Sequence, residues 1–260
     1  MSLSAKLTRA IVRTACAARN RNAFVYYETV RHRVPLPDLP VACVEHYGQC
    51  GEDVIVVALI AARAATDGVE PAGLRYLEIG GNHPFATSAT FLLQARLGMT
   101  GVIVEANPKL IADLQKGRPR DLVLHAAVTD NDAPTATLSV SPYSELSSLD
   151  RNFSIDWSVR GQAPPRADQI RVEEVPAIRV NELIDRHMSG ASPCFVSIDI
   201  EGLDLRILRD FDFARFRPWF VQVEPSDDYV AGNSDDICRL MRSVGYRLVA
   251  KTNVNLIFGT

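Results

Sequence analysis

The chain has 260 residues, enough for one large domain or one domain with an appendage. Hydrophobic residues make up 47% and charged residues 23%, as in soluble globular proteins, and a net charge of −3 gives no whole-chain argument for a nucleic-acid partner. No stretch approaches the ~18 consecutive apolar residues of a membrane span, and five scattered cysteines without a C-x-x-C indicate neither a zinc knuckle nor a disulfide framework, so a reducing cytosol is the expected home.

Residues 1–33 carry Lys6, Arg9, Arg13, Arg19, Arg21, Arg31 and Arg33 against Glu28 alone, and Leu3, Leu7, Ile11 and Ala15 fall at helical spacing. A helical arm is expected, either packed on the main domain, facing a partner such as a second copy in a homo-oligomer, or in peripheral contact with a membrane. The Pro-rich run Val34–Pro40 cannot be regular helix and separates this arm from the rest of the chain. Residues 1–45 therefore read as arm and connector, and 46–260 as the main domain.

A helix is expected over Val54–Ala65, ended by Thr66-Asp67-Gly68. Strands are expected at 74–80, 101–105 and 121–125, joined by helices at about 86–97 and 108–116, the second opened by Asn107 as cap and Pro108 in its first turn. Thr135–Val140 alternates like an extra strand. Residues 141–169 are irregular and hold Tyr143, Phe153 and Trp157, which suggests a substrate-facing lid. Beyond them the pattern predicts strand Val172–Ile178, helix Val180–His187, strand Cys194–Asp199, helix Leu203–Phe211, strand Trp219–Glu224 and helix Asp235–Val244. The chain ends in two strands, Tyr246–Ala250 and Val254–Phe258, whose short connection predicts a hairpin and hence an antiparallel last strand. The alternation gives a doubly wound α/β sheet with ligands at the carboxyl ends of its strands.

Arg75-Tyr-Leu-Glu-Ile-Gly-Gly-Asn82 is the informative stretch: an apolar strand, a carboxylate, a glycine turn. About twenty-five residues on, Val102-Ile-Val-Glu105 ends a second strand in an acid placed to hydrogen-bond ribose hydroxyls. A dinucleotide needs G-x-G-x-x-G for its pyrophosphate. Here the third glycine is missing, Pro84 and Phe85 stand near the phosphate position, and Glu78 would repel phosphate but attract an ammonium group. S-Adenosylmethionine, with a ribose, an α-ammonium and no phosphate, fits better than NAD. Four strands end in acids, Glu78, Glu105, Asp199 and Glu224, which share one rim in a parallel sheet. At Asp199-Ile-Glu201-Gly202, Asp199 or Glu201 is placed to act as general base on an acceptor hydroxyl. Alternatively Asp199 and Glu224 hold Mg²⁺ or another divalent cation. His83 and His125 are the histidines nearest the rim, and either is a further candidate base.

The pieces Tyr47-Gly-Gln-Cys-Gly-Glu-Asp53, Leu77-Glu-Ile-Gly-Gly-Asn82, Val104-Glu-Ala-Asn-Pro108, His125-Ala-Ala-Val128 and Ser197-Ile-Asp-Ile-Glu-Gly202 resemble the FkbM-family methyltransferases, over residues 46–258. The resemblance implies a class I methyltransferase fold, Rossmann-like, with seven strands and the last antiparallel, binding S-adenosylmethionine. It also implies O-methylation, often of a sugar hydroxyl in a polysaccharide, glycolipid or natural product. By position, Glu78, Gly80 and Asn82 would face the methionine part, and Glu105 with Ala106 the ribose. Ala126 and Ala127 would border the adenine, Gln49 and Asp53 would contact the cofactor from before the domain, and Asp199 and Glu201 would face the acceptor. His83-Pro84 departs from the glycine-containing turn of the commoner family pattern. An NAD-linked oxidoreductase and a non-catalytic binding module remain the alternatives.

Overall fold

The computed structural model describes residues 46–143, 146–156 and 167–260. The expected arm and connector, 1–45, and Trp157 of the expected lid lie outside the described residues.

Glu52–Asp67 forms helix α1. Gly51 enters it in the left-handed region at φ 78°, Glu52 and Asp53 occupy its first turn, where the helix dipole favours anions, and Gly68 closes it at φ 66°. Val56, Ile60 and Ala64, spaced by four, make its buried stripe. Next come β1 (Arg75–Ile79), α2 (Phe91–Leu97), β2 (Thr100–Glu105), α3 (Pro108–Gly117) and β3 (Leu122–His125). Asn107 caps α3 as expected, its Oδ1 accepting the Lys109 N–H at 3.2 Å, with Pro108 in the first turn.

Helix α2 is shorter than the sequence predicts. Its first expected turn is instead a loop in which Thr87 takes φ 63° and Ser88, Ala89 and Thr90 turn their donors onto Glu78. A buried carboxylate that needs partners outweighs helix propensity there.

Strands β4 (Ala127–Thr129), β5 (Thr135–Val140) and β6 (Arg171–Arg179) form a separate three-stranded sheet, ordered β4-β6-β5, with helix α4 (Arg151–Asp156) between β5 and β6. The strand expected at 172–178 is thus outside the main sheet. The chain continues through α5 (Val180–His187), β7 (Phe195–Ile198), α6 (Asp204–Asp210), β8 (Phe220–Val223), α7 (Asn233–Ser243), β9 (Arg247–Lys251) and β10 (Leu256–Gly259).

The main sheet has seven strands in the order β3-β2-β1-β7-β8-β10-β9. β1 pairs in parallel with β2 and β7, and β10 runs antiparallel to both β8 and β9, so the terminal hairpin falls as predicted. Both faces are buried. Leu77, Ile79, Val104, Val196, Ile198 and Val223 pack on one side with α5, α6 and α7, and Tyr76, Phe195, Phe220 and Ile257 pack on the other with α1 and α2. Each fully buried aliphatic or phenyl side chain contributes about 1.5–3 kcal/mol over exposure, and this double layer fixes the carboxyl ends of β1, β2, β7 and β8 on one rim. Among the described residues no helix is long and apolar enough to cross a membrane.

Candidate active site

The chain leaves β1 at Gly80, with φ 90°. The Gly80 and Gly81 N–H groups both donate to the Val104 carbonyl, at 2.9 and 3.1 Å, and Asp199 N–H donates to Ile79 O at 3.0 Å. A Cβ on Gly80 would lie 1.8 Å from the Asp199 carbonyl oxygen, so the turn and the β7 end can meet only through a glycine. Asn82, itself at φ 41°, donates its N–H to Glu105 Oε2 at 2.8 Å, and Asn107 N–H donates to Oε1 at 2.7 Å. Glu105 thus ties the first turn to the second. Burial raises its pKa, and the backbone donors of Asn107, Asn82 and Ala106 oppose that rise.

These turns wall a cleft with about 770 Å³ of empty space, counting the part open to solvent. Gln49, Gly80, Asn82, Glu105, Ala106, Ala126, Ala127, Asp199 and Glu201 all line it. Nine of the residues singled out in the sequence therefore meet in one cavity. Thr87, Leu138, Ser147, Ser148 and Leu149 also line it and were not anticipated individually. The last three belong to the irregular segment after β5, whose length was their one signal. No Lys, Arg or His lines the cleft among the described residues.

Four expected site residues lie elsewhere. Glu78 does not face the cleft. Strand alternation puts it on the same face as Tyr76, 3% exposed, where it accepts from Ser88 Oγ (3.1 Å), Ala89 N–H (2.9 Å) and Thr90 Oγ1, with Arg118 Nη1 at 3.8 Å. Burial raises its pKa and Arg118 pulls it down. Arg118, 0% exposed, also donates to Tyr76 Oη (2.9 Å), Thr90 Oγ1 (2.8 Å) and Asp121 Oδ2 (2.9 Å). In sequence it is one basic residue in Gly-Arg-Pro-Arg at a helix end, with nothing to mark it as buried.

Asp53 is fully buried, and its Oδ2 accepts the Tyr47 N–H at 2.6 Å. It shapes the segment that carries Gln49 and stays off the cleft wall, as Glu52 does by accepting the Gln49 and Cys50 N–H groups, each at 2.7 Å. His83 is exposed and outside the cleft. Its Nδ1 accepts the Phe85 and Ala86 N–H groups at 3.1 and 2.8 Å, and desolvation lowers its pKa. His125 places Nε2 3.1 Å from Ala106 O, bracing the wall.

Glu224 stands behind Asp199 rather than on the wall. Burial raises the pKa of both. The hydrogen bond between them lowers Asp199 and raises Glu224, so the two carboxyls titrate as a coupled pair. Asp204 joins them from α6: its Oδ1 accepts the Ile200 N–H at 3.2 Å, and burial with Asp199 nearby raises it strongly. Asp199 Oδ1, Asp204 Oδ2 and Asp53 Oδ1 are buried without a hydrogen-bond partner. The divalent-cation expectation does not fit this arrangement. Among the described residues no group of three or more His, Cys, Asp or Glu side chains is disposed to hold a metal ion, and Asp199 and Glu224 are occupied with one another.

Solved structures similar to this chain include several methyltransferases. The O-methyltransferase of Bacillus cereus in complex with SAH is 12% identical, with 96% of each chain covered and a TM-score of 0.41. The precorrin-6y C5,15-methyltransferase of Geobacter metallireducens is 11% identical, covering 87% of this chain and 97% of its own, TM-score 0.42. The SAH-bound methyltransferase PaMTH1 of Podospora anserina is 10% identical, covering 97% and 94%, TM-score 0.39. Among curated proteins no significant match is found. The family model of the methyltransferase FkbM domain matches residues 78–248, well over half the chain, from the acid of the first turn into the terminal hairpin, and the protein belongs to that family.

Proposed function

We propose that the protein transfers the methyl group of S-adenosylmethionine to a hydroxyl of a sugar-containing acceptor, such as a polysaccharide, glycolipid or glycosylated natural product. The observation that carries the cofactor is the charge of the cleft. Glu105, Asp199 and Glu201 line it, and among the described residues no basic side chain does. A sulfonium with an α-ammonium group is stabilised there, and the pyrophosphate of NAD would face three carboxylates without a cation.

The donor lies along Gly80, Asn82 and Glu105, with Ala126 and Ala127 against the adenine, and the acceptor comes in at Asp199 and Glu201. The hydroxyl oxygen attacks the methyl carbon in line with the departing sulfur, and most of the acceleration comes from that alignment. Asp199 takes the hydroxyl proton. Its pKa, raised by burial, brings it nearer to neutral pH than an ordinary aspartate, which improves a general base. Calorimetry tests the cofactor assignment: S-adenosylhomocysteine binds and NAD does not. The acceptor class is tested by label transfer from methyl-labelled S-adenosylmethionine to a panel of methyl glycosides. Binding of NAD in place of S-adenosylhomocysteine overturns the proposal.

A further inference from the structure

The acidic turn after β7 is contacted by two other segments of the chain. Glu201 sits at φ 57°, in the left-handed region that a residue with a Cβ seldom occupies, and Gly202 follows at φ 92°. The Glu201 carbonyl receives a hydrogen bond from Ser148 Oγ at 2.9 Å. Ser148 is 2% exposed and rigidly placed. Its N–H and C=O pair with Ser139 of β5 at 3.2 and 2.9 Å, and its Oγ accepts the Asp150 N–H at 3.0 Å. Two residues on, Asp150 Oδ2 accepts the Tyr229 hydroxyl at 3.0 Å, and the Phe153 ring meets Tyr229 edge-on at 4.9 Å. Both rings close over Gly202, where a Cβ would lie 3.0 Å from Phe153 and 3.3 Å from Tyr229. Tyr229 belongs to the segment that follows Glu224. One clamp therefore joins the small sheet, the β7 turn and the chain after β8.

We propose that Ser148 and Tyr229 are positioning residues that hold the Asp199–Gly202 turn in its left-handed conformation, which makes the three-stranded sheet the buttress of the acidic turn. The inference rests on reading Asp199 and Glu201 as the acceptor side of the site. Ser148 acts on the backbone of the strained residue itself, and Ser148 and Leu149 also line the cleft. Without the hydroxyl the Glu201 carbonyl loses this hydrogen bond, and the left-handed conformation is favoured less over φ below zero. That would swing the Glu201 carboxylate and shift Asp199, whose carbonyl already abuts Gly80. A displacement on the order of 1 Å at a reacting group costs up to ~100-fold in rate.

The test uses the full chain as wild type, Ser148→Ala, Ser148→Thr, Tyr229→Phe and Glu201→Gly, with Ser148→Ala also made in the Glu201→Gly background. Amide hydrogen exchange is read over residues 199–203, alongside the melting temperature. Loss of one hydrogen bond predicts exchange up to ~10-fold faster in Ser148→Ala and Tyr229→Phe. Ser148→Thr restores protection. In the Glu201→Gly background Ser148→Ala adds nothing, because glycine accepts positive φ without the clamp. With methyl glycosides as acceptor, Ser148→Ala lowers kcat while KM for S-adenosylmethionine is unchanged. Unchanged exchange in Ser148→Ala overturns the proposal, and so does an equal effect with and without Glu201→Gly, which would reduce the contact to packing. A wild type that fails to bind S-adenosylhomocysteine sinks the functional reading instead, and the exchange data still decide the clamp.

Discussion

Asp199 and Glu224 end neighbouring parallel strands, and neither makes an ion pair among the described residues. Burial therefore works against both charges at once, and their hydrogen bond lets one proton serve two carboxyls. Asp199 lines the cleft and can take up a further proton from a hydroxyl. Asp199→Asn is expected to lower transfer by about 10²–10⁴-fold, the typical span for loss of a general base, with calorimetric affinity for S-adenosylhomocysteine nearly kept. Equal loss of binding and turnover would make Asp199 a cofactor ligand instead. Glu224 leaves a mark on stability. Its folded pKa lies above the ordinary glutamate value of about 4.3, so the native state keeps a proton that the unfolded chain releases. That stability is complete below about pH 4.3 and is lost as pH rises toward the folded value. The melting temperature is therefore expected to fall from pH 5 toward pH 9 more steeply in the wild type than in Glu224→Gln. Parallel curves would show that Glu224 is ionised in the fold.

At the level of the elements, the first turn does a different job from the one its residues suggest. Glu78 precedes two glycines, and linear order places it beside the ligand. Strand alternation, with Tyr76 on the same side, turns it toward α2 instead, and Arg118, forty residues later, meets it there. Nothing local in the sequence marks that pairing, because its cause is tertiary. The positions of Glu105 at the end of β2 and of Gly80 where two backbones meet were legible from the strand pattern and the glycine turn, and both line the cleft. The Arg118 knot holds the loop that replaces the first turn of α2, through Ser88 and Thr90. Removing one partner of a buried ion pair costs about 3–5 kcal/mol, because the other charge is left uncompensated. Arg118→Met is expected to destabilise by that amount in chemical denaturation, and adding Glu78→Gln should recover part of it. If the double variant is as unstable as the sum of the singles, the two side chains are not coupled.

At the scale of the whole molecule, the doubly wound sheet was legible because every core strand is an apolar run with a turn at its end, and the terminal hairpin because a short link joins its two strands. The small sheet was not. Val172–Ile178 reads like any other strand, and only its non-local pairing with β4 and β5 shows that it belongs elsewhere. The cleft has the same non-local character. Its wall takes residues from before α1, from the turns after β1 and β2, from β4 and β5, and from the turn after β7, so it exists only in the folded chain. A ligand of this cavity must then stabilise the fold as a unit. At a hundred times its dissociation constant, S-adenosylhomocysteine is expected to add about 2.7 kcal/mol, which for a chain of this size raises the melting temperature by roughly 5–10 °C. Differential scanning calorimetry reads this directly, and hydrogen exchange should slow together in the Gln49 segment, the Gly80 turn, the Ser148 strap and the Asp199 turn. A rise confined to the Gly80 and Glu105 turns would mean that the cofactor engages only half of the cleft, with the Asp199 side waiting for the acceptor.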